Sequence, residues 1–368
     1  MKSDNYYGML TDIQSEPKLL TSLYADREKI VKPFVKLFSE RRIKRIYLTG
    51  SGSPLYVAIA LQYAAIKLLH VDATAVPAML LNNHQFYNTD SFKPEEMLLI
   101  CPAESGNAKG QVYAARHAKA MGIPVVCTTW NLDGVLAKES DIVLLKPERE
   151  KGMPTTKGQV MAIYLVLLCM VETAQKLGTI TDDEYRRYLL ALYHVPENVR
   201  SIIETTMQWF EKYQDLVMAS PNYRIIAYGA NIATAEEATI KFTETHTRPS
   251  MFYELEESMH GPVRALKQGE MMFLICAEDG PEKERMKHFY RVMKKYSNAC
   301  IMIQNNTDPQ EDPHALRIQT DNVEFVNTIE FLVPFEVLAF CISDKLGLDT
   351  GIHEPFAMMK ELETSFNQ

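Results

Sequence analysis

The sequence lacks the features that would mark a membrane or secreted protein. No apolar run reaches the roughly 18 residues that a membrane span needs. The longest run, residues 160–171 (VMAIYLVLLCMV), has the length of a buried helix. The first residues, MKSDNYYGMLTDI, lack the apolar core of a signal peptide. We therefore expect a cytoplasmic protein that does not enter a membrane.

Cysteine is scarce and is not arranged as a metal site. The six cysteines form no CxxC pair and have no histidine nearby, so we expect no zinc and no other metal. Five of them end apolar runs such as LLIC and FLIC, which is how small buried hydrophobic residues are used. We expect reduced thiols in a buried core.

The chain also lacks an excess of positive charge. Its formal net charge is −8, which argues against nucleic acid as a partner. A small anionic ligand stays possible, because it needs only local backbone N–H groups and one or two cations. At 368 residues, with 46% hydrophobic and 23% charged residues, the chain is expected to form two globular domains.

Short β-rich runs alternate with amphipathic runs, which predicts parallel sheets covered by helices on both faces. We predict an α/β fold of two tandem, doubly wound, flavodoxin-like domains joined by a helical connector at about 181–215. The predicted organisation is a helical segment at 1–30, domains at 31–195 and 196–347, and a polar C-terminal tail at 348–368.

Three loops between a predicted strand and a helix carry glycine and hydroxyl groups. Ligands of such sheets bind beyond the carboxyl ends of the strands, where glycine allows close approach and helix N-termini favour anions. Loop 1 is TGSGS at 49–53, loop 2 is AESGNA at 103–108 and loop 3 is KGMPTTK at 151–157. Together they suggest a phosphate-binding site, although each could equally be a helix cap. The candidate residues are Gly52, Ser53, Glu104, Ser105, Gly106, Asn107, Met153, Thr155 and Thr156.

The segment at 235–262 carries a possible acid/base pair. Lys241 and Glu244 share one helix face, because residues three apart point the same way. His260 lies sixteen residues after Glu244, in a His-Gly-Pro turn that cannot continue a helix. A carboxylate on a rigid helix and a histidine at a mobile turn can exchange protons with a substrate. The alternative is a surface Lys–Glu pair and a capping histidine.

These pieces together resemble the tandem SIS (sugar isomerase) family. The similarity is to the isomerase half of glucosamine-6-phosphate synthase and to the fructosamine-6-phosphate deglycases. It rests on GSGS at 50–53, ESGN at 104–107, GMPTTKG at 152–158, EEATIKFTE at 236–244, HGP at 260–262 and HEPFAMMK at 353–360. Six motifs in this order cover nearly the whole chain from about residue 30.

The resemblance implies a role for each of four residues. Glu244 corresponds to the base that moves a proton between C1 and C2 of an open-chain sugar, and Lys241 lies beside it. His260 corresponds to the histidine that assists ring opening, which can reach the site from a neighbouring subunit. Lys360 corresponds to a lysine that closes over the sugar, five residues after Pro355. No cofactor is implied, and a homodimer or higher homo-oligomer with its site at the subunit interface is expected.

Departures from the family pattern fall in the phosphate loops. Relatives usually show S-x-S-G-E-T in loop 2, whereas here Ala103 and Ala108 replace two hydroxyl residues and Asn107 replaces Glu. Pro54 stands where serine is often found. Phosphate contact would then depend on backbone N–H groups, Ser53, Ser105 and Lys109.

The resemblance implies a phosphosugar enzyme, and we favour a deglycase acting on a 6-phosphorylated sugar–amine conjugate. A glucosamine-6-phosphate deaminase or an aldose–ketose isomerase is the alternative, and a non-catalytic sugar-phosphate-binding regulator is a further one. No glutaminase-like sequence precedes the first predicted domain. Glutamine-dependent synthesis is therefore not expected.

Overall fold

The computed structural model describes residues 5–266, 269–351 and 361–366. The chain divides into two compact units, each assembled from segments that are not adjacent in sequence. The β1–β5 unit contains residues 18–150, 157–193 and 361–366. The β6–β10 unit contains residues 5–17, 151–156, 194–266 and 269–351.

The β1–β5 unit is built on a five-stranded parallel sheet. Its strands are β1 (Arg45–Gly50), β2 (Asp72–Pro77), β3 (Met97–Pro102), β4 (Val125–Thr129) and β5 (Ile142–Leu145). They lie in the order β2-β1-β3-β4-β5, so the strand order reverses between β1 and β3. A ligand crevice in a doubly wound sheet forms at such a reversal, and loops 1 and 2 follow these two strands.

Helices precede, connect and follow the strands of this sheet. They are α2 (Arg27–Glu40), α3 (Ser53–Leu69), α4 (Ala78–Leu80), α5 (Lys109–Ala120), α6 (Val135–Glu139) and α7 (Lys157–Leu177). Helices α1 (Gly8–Ala25) and α8 (Asp182–Met218) contribute residues to both units. By length and composition α7 could cross a membrane, but 78% of its apolar window is buried within the protein. It is therefore a core helix, as the sequence indicated.

The β6–β10 unit repeats the same plan. Its strands are β6 (Tyr223–Ala227), β7 (Ser250–Glu254), β8 (Met271–Cys276), β9 (Cys300–Asn305) and β10 (Leu316–Ile318). All pairs are parallel, in the order β10-β9-β8-β6-β7. Its helices are α9 (Ile232–His246), α10 (Leu255–Met259), α11 (Pro281–Met293) and α12 (Asn327–Lys345). The predicted fold class, two α/β units on parallel sheets, is confirmed.

Two local elements depart from the regular strand and helix patterns. The edge strand β7 is half-buried and shows no continuous apolar run. After β2, the single turn α4 is followed by a π-helical turn, Leu81–Gln85, which ends where Phe86 takes a positive φ of 57°.

The compact units divide the chain differently from the predicted domains. Residues 5–17 and 151–156 group with the β6–β10 unit, whereas the prediction assigned 1–30 to a separate helical segment and 31–195 to the first domain. The predicted tail at 348–368 is also divided, because 348–351 group with the β6–β10 unit and 361–366 with the β1–β5 unit. The six cysteines are free; Cys341 is half-buried and the other five are buried.

Candidate active site

Three charged residues of α9 form one continuous face. Glu237, Lys241 and Glu244 follow one another at spacings of four and three, so they stack along the same side of the helix. The Lys241 Nζ lies 3.2 Å from Glu237 Oε1 and 2.8 Å from Glu244 Oε2. The predicted Lys241–Glu244 pair is present, and Glu237 is a second partner of the lysine that sequence reasoning did not single out.

Burial makes this ion pair unusual. Lys241 and Glu237 side chains are fully buried, whereas the Glu244 side chain is 30% exposed. Burial by itself disfavours the ammonium, but the charges of Glu237 and Glu244 outweigh it and raise the pKa of Lys241. The charged lysine therefore fixes Glu244 at the edge of the solvent, with part of its side chain accessible.

Aromatic packing holds α9 against its sheet. The Phe242 ring, on the turn next to Lys241, lies 5.1 Å from the Tyr223 ring, 6.2 Å from Phe273 and 6.0 Å from Phe335. His246 packs on the same ring, and burial with the nearby Arg248 charge lowers its pKa to about 4. This histidine is therefore a neutral core residue, and α9 is a rigid support for Glu244.

His260 lies at the C-terminal end of α10, as the sequence predicted. Its side chain is exposed, and the next residue, Gly261, has φ +141°, which favours glycine. Within the described ranges no hydrogen bond joins His260 to Glu244. Within one chain the described hydrogen bonds therefore join Lys241 to Glu244 and do not join His260 to that pair.

A buried arginine that sequence reasoning missed shapes the turn after His260. Arg224 on β6 donates hydrogen bonds to the carbonyl oxygens of Pro262 (3.0 Å) and Ala265 (3.1 Å). Its guanidinium also pairs with Glu270 at 2.9 Å, and both side chains are almost fully buried. An Arg in a strand that is otherwise apolar (YRIIA) was the available signal.

Loop 1 joins β1 to α3 by a close turn of the backbone. A Cβ on Gly50 would lie 2.5 Å from the Leu55 nitrogen, so only glycine fits there. Gly52 has φ +65° and precedes Ser53, the first residue of α3, which is buried. The backbone of loop 1 therefore requires glycine at both positions, and ligand binding by Gly52 and Ser53 stays a prediction.

Loop 2 is held by its own polar side chains. The Ser105 Oγ accepts a hydrogen bond from the Asn107 N–H (3.4 Å), and the Asn107 Oδ1 accepts one from Val135 N–H (3.1 Å). Gly106 has φ +68°. These contacts are those of a structured turn that precedes α5, and ligand binding by these residues stays a prediction.

Glu104 of loop 2 has a partner that the sequence did not reveal. Its carboxylate forms an ion pair with the fully buried Lys146, which follows β5. A Cβ on Gly158, in the first turn of α7, would lie 2.6 Å from both Glu104 carboxylate oxygens. Glu104 is therefore fixed between Lys146 and α7, with its charge compensated.

The described end of the C-terminal tail lies on loop 2. The Phe366 N–H donates to the Asn107 carbonyl (2.8 Å), and the Lys109 N–H donates to the Thr364 carbonyl (3.0 Å). Ser365 pairs with Ala108 as an antiparallel bridge. The Lys109 ammonium, considered above for phosphate contact, lies 3.3 Å from Glu363. Lys360 itself lies outside the described residues.

Loop 3 belongs to the β6–β10 unit up to Thr156. The Asp12 carboxylate on α1 accepts hydrogen bonds from the N–H groups of Lys151 (2.6 Å) and Gly152 (2.7 Å), and the Met153 N–H donates to the Thr350 carbonyl (3.1 Å). Thr156 is buried and Thr155 is half-buried. Asp12 is thus the residue that orders this loop, and sequence reasoning had not identified it.

Comparisons with known proteins place these features in context. No protein-family profile matches the chain. A glutamine–fructose-6-phosphate aminotransferase (isomerizing) from Fusobacterium nucleatum is 22% identical over 356 residues, which cover 93% of this chain and 56% of the relative. The chain therefore spans about half the length of the curated relatives it matches.

Solved structures share the whole architecture. A candidate phosphosugar isomerase from Clostridium difficile 630 has a TM-score of 0.84 at 20% identity, covering 100% of both chains. The C-terminal domain of glucosamine-fructose-6-phosphate aminotransferase from Francisella tularensis has a TM-score of 0.82 at 15% identity, covering 93% of this chain and 97% of that one. The chain therefore has the tandem SIS fold, and its sequence resembles the isomerase half of the glucosamine-6-phosphate synthases.

Proposed function

We propose that the protein is an enzyme that cleaves a 6-phosphorylated sugar–amine conjugate into a hexose 6-phosphate and an amine. The observation that carries the proposal is the Glu244 carboxylate, partly exposed and fixed 2.8 Å from the fully buried Lys241. Such a carboxylate is a positioned base with one free face. The similarity to phosphosugar enzymes supplies the substrate class.

Proton transfer by Glu244 explains the cleavage without a cofactor. In a 1-amino-1-deoxyketose the carboxylate removes a proton from C1, and the resulting acid returns a proton to C2. The amine-bearing C1 then becomes an imine, water adds to it, and the C–N bond breaks to give an aldose and the free amine. Glu244 ends as a carboxylate and is ready for the next turnover. Hydrolysis of the imine consumes one water for each conjugate cleaved.

The remaining predicted residues have supporting roles in this proposal. Lys241 orients Glu244 and compensates its charge. His260 assists opening of the sugar ring, and Lys360 covers the open-chain sugar. The backbone N–H groups of loops 1 and 2, with Ser53 and Ser105, receive the phosphate. The enzyme acts in the cytoplasm as a homodimer or higher homo-oligomer.

Two related reactions use the same base and differ in their products. A deaminase acting on a 2-amino aldose 6-phosphate would release ammonia and a ketose 6-phosphate. An aldose–ketose isomerase would release no amine. A regulator that only binds the sugar phosphate would need neither Glu244 nor its buried lysine partner.

The deciding experiment incubates the purified protein separately with fructosamine-type 6-phosphates, glucosamine 6-phosphate and fructose 6-phosphate. Glucose 6-phosphate and free amine from the first substrate support the deglycase. Ammonia and fructose 6-phosphate from the second indicate the deaminase, and interconversion of the third indicates the isomerase. Binding of all three without any product would refute the enzyme proposal.

Glu244→Gln tests the assigned base. The amide keeps the size of the side chain but cannot accept the proton, so kcat should fall by about 100-fold or more, the range of general-base catalysis. The matched control is Glu211→Gln, which changes an exposed carboxylate of α8 in the same unit. If both variants turn over the substrate at the wild-type rate, Glu244 is not the base.

A further inference from the structure

A buried arginine holds the turn that follows His260. Arg224 lies on β6, and its side chain is almost fully buried. Its Nη1 donates to the Pro262 carbonyl at 3.0 Å, and its Nη2 donates to the Ala265 carbonyl at 3.1 Å. One guanidinium therefore binds both ends of the short 3₁₀ helix Pro262–Ala265, which begins two residues after His260.

Further contacts fix the guanidinium itself. The Arg224 Nε donates to Glu270 Oε2 at 2.9 Å, and the Asn222 Nδ2 donates to Glu270 Oε1 at 3.0 Å. The guanidinium carbon lies 6.0 Å from the centre of the Tyr253 ring on β7. Because the guanidinium is planar, its N–H groups point in fixed directions and can reach two carbonyl oxygens and a carboxylate together. A lysine at this position would keep the charge for Glu270 but has a single nitrogen, so it could not reproduce this fork.

Stability by itself does not account for a buried ion pair under this turn. Gly261, Arg264 and Ala265 are exposed, and water can satisfy the carbonyl groups of a surface turn. Burial of Arg224 with Glu270 removes two charges from water, a cost that the attraction between them often only balances. What the pair does supply is a defined position of the turn relative to β6.

The apolar side of the same turn is also held. Val263 and Leu266 pack against the buried apolar cluster formed by residues of β6, β8 and α11. Within the turn, the Arg264 N–H donates to the Gly261 carbonyl (2.9 Å) and the Leu266 N–H to the Val263 carbonyl (3.2 Å). The turn is therefore fixed by polar contacts and by apolar packing, and His260 stands exposed at its start.

We propose that Arg224 is a positioning residue for His260. By fixing the turn Pro262–Ala265 to β6, it holds the imidazole in the place from which the sugar ring is opened. This role rests on the proposed function, in which His260 assists ring opening and Glu244 transfers the proton between C1 and C2. Loss of the fork should therefore slow ring opening and leave the proton transfer by Glu244 unchanged.

Two substrates separate these two steps. A fructosamine-type 6-phosphate closes into a ring through its 5-hydroxyl group, whereas its 5-deoxy analogue lacks that group and stays open-chain. Arg224→Lys removes the fork, so kcat/KM for the ring-forming substrate should fall by about 10- to 100-fold, the range that a small misplacement of a catalytic group can cost. The value for the 5-deoxy analogue should stay close to that of the wild type. A merely structural role of Arg224 would lower both values together.

The matched control is Arg248→Lys. Arg248 also donates to two backbone carbonyls of the β6–β10 unit, those of Met218 (3.0 Å) and Ser220 (2.7 Å) at the end of α8. Its substitution should leave the ratio of the two kcat/KM values unchanged. His260→Ala should reproduce the split between the two substrates, and adding Arg224→Lys to it should cost nothing more, because both changes remove the same contribution.

Amide hydrogen exchange tests the fork without any substrate. The N–H groups of Arg264 and Leu266 are hydrogen-bonded within the turn and should exchange faster in Arg224→Lys than in the wild type or in Arg248→Lys. The N–H groups of β6 should keep their protection. If circular dichroism shows that Arg224→Lys does not fold, the double variant Arg224→Met with Glu270→Met replaces it in each measurement. That variant removes both buried charges together and so leaves neither unpaired.

The outcomes distinguish failure of this proposal from failure of the proposed function. If the wild type cleaves the conjugate but Arg224→Lys lowers kcat/KM for both substrates equally, or for neither, the positioning role is wrong and the proposed function stands. Unchanged exchange in the turn of Arg224→Lys also overturns the positioning role. If the wild type cleaves no phosphorylated sugar–amine, the proposed function fails and the role of Arg224 fails with it. Loss confined to the ring-forming substrate, together with faster exchange in the turn, supports the proposal.

Discussion

The stability of the β6–β10 unit should depend on pH in part through one buried carboxyl group of α12. Glu330 on α12 is 1% exposed, and the Asn198 Nδ2 donates a hydrogen bond to its Oε1 at 2.6 Å. Burial raises the pKa of Glu330 from 4.5 to about 8, partly opposed by the Asn198 bond, with the Asp321 charge adding to the rise. Between about pH 4.5 and pH 8, Glu330 therefore holds a proton in the folded protein but has lost it in the unfolded chain.

The sign and size of the effect follow from proton linkage. The folded pKa is raised, so the stability that this group contributes is fully present below about pH 4.5 and is lost as the pH rises towards about 8. Each unit of pKa difference corresponds to about 1.4 kcal/mol, and pH 7 lies 2.5 units above the ordinary pKa of 4.5, so the loss at pH 7 is at most about 3.5 kcal/mol. Glu330→Gln keeps an acceptor for Asn198 and has no proton to lose. The variant should therefore be more stable than the wild type at pH 7 and show a flatter pH dependence.

Tryptophan fluorescence can follow the unfolding of the β6–β10 unit separately from that of the β1–β5 unit. The chain has two tryptophans, and Trp209 lies in the β6–β10 unit while Trp130 lies in the other. In a Trp130→Phe background, emission during urea unfolding reports on the buried Trp209, whose Nε1 donates to the His314 carbonyl at 2.8 Å. Glu211→Gln is the matched control. If the free energy of unfolding changes with pH by the same amount in Glu330→Gln and in the wild type, Glu330 is not the group responsible.

The remaining predictions concern the assembled site. Mixing Glu244→Gln with His260→Ala subunits should restore part of the activity if His260 completes a neighbouring subunit's site; no recovery in verified mixed oligomers would contradict this arrangement. Truncation after Gly351 removes the segment that pairs with loop 2 and also Lys360, so helix content by circular dichroism should be kept while most activity is lost. Lys360→Met should lower turnover more than thermal stability, and wild-type kinetics in the truncated protein would show that the tail has no catalytic role.

The features that the sequence predicted correctly depend on interactions between residues that are close together in the chain. Strand and helix periodicity gave the two parallel α/β units, because burial on both faces of a parallel sheet demands continuous apolar strands. The helical spacing placed Lys241 and Glu244 on one face of α9, where they lie 2.8 Å apart. The Gly261-Pro262 pair stopped a helix at His260, as backbone geometry requires. These features depend on residues within a few positions of one another.

Contacts between distant residues were decided by the tertiary structure. Glu330 on α12 and Asn198 on α8 lie 132 residues apart in sequence and meet only when those helices pack. Asp12 reaches loop 3 across about 140 residues, and Lys146 reaches Glu104 across about 40. Isolated charges in apolar elements, such as the two glutamates of IEFLVPFEVL in α12, were the signal in the sequence. That signal shows that the buried carboxyl group must be paired or protonated, because an unpaired buried charge is too costly, but only the packed fold determines which of the two occurs and which residue lies beside it.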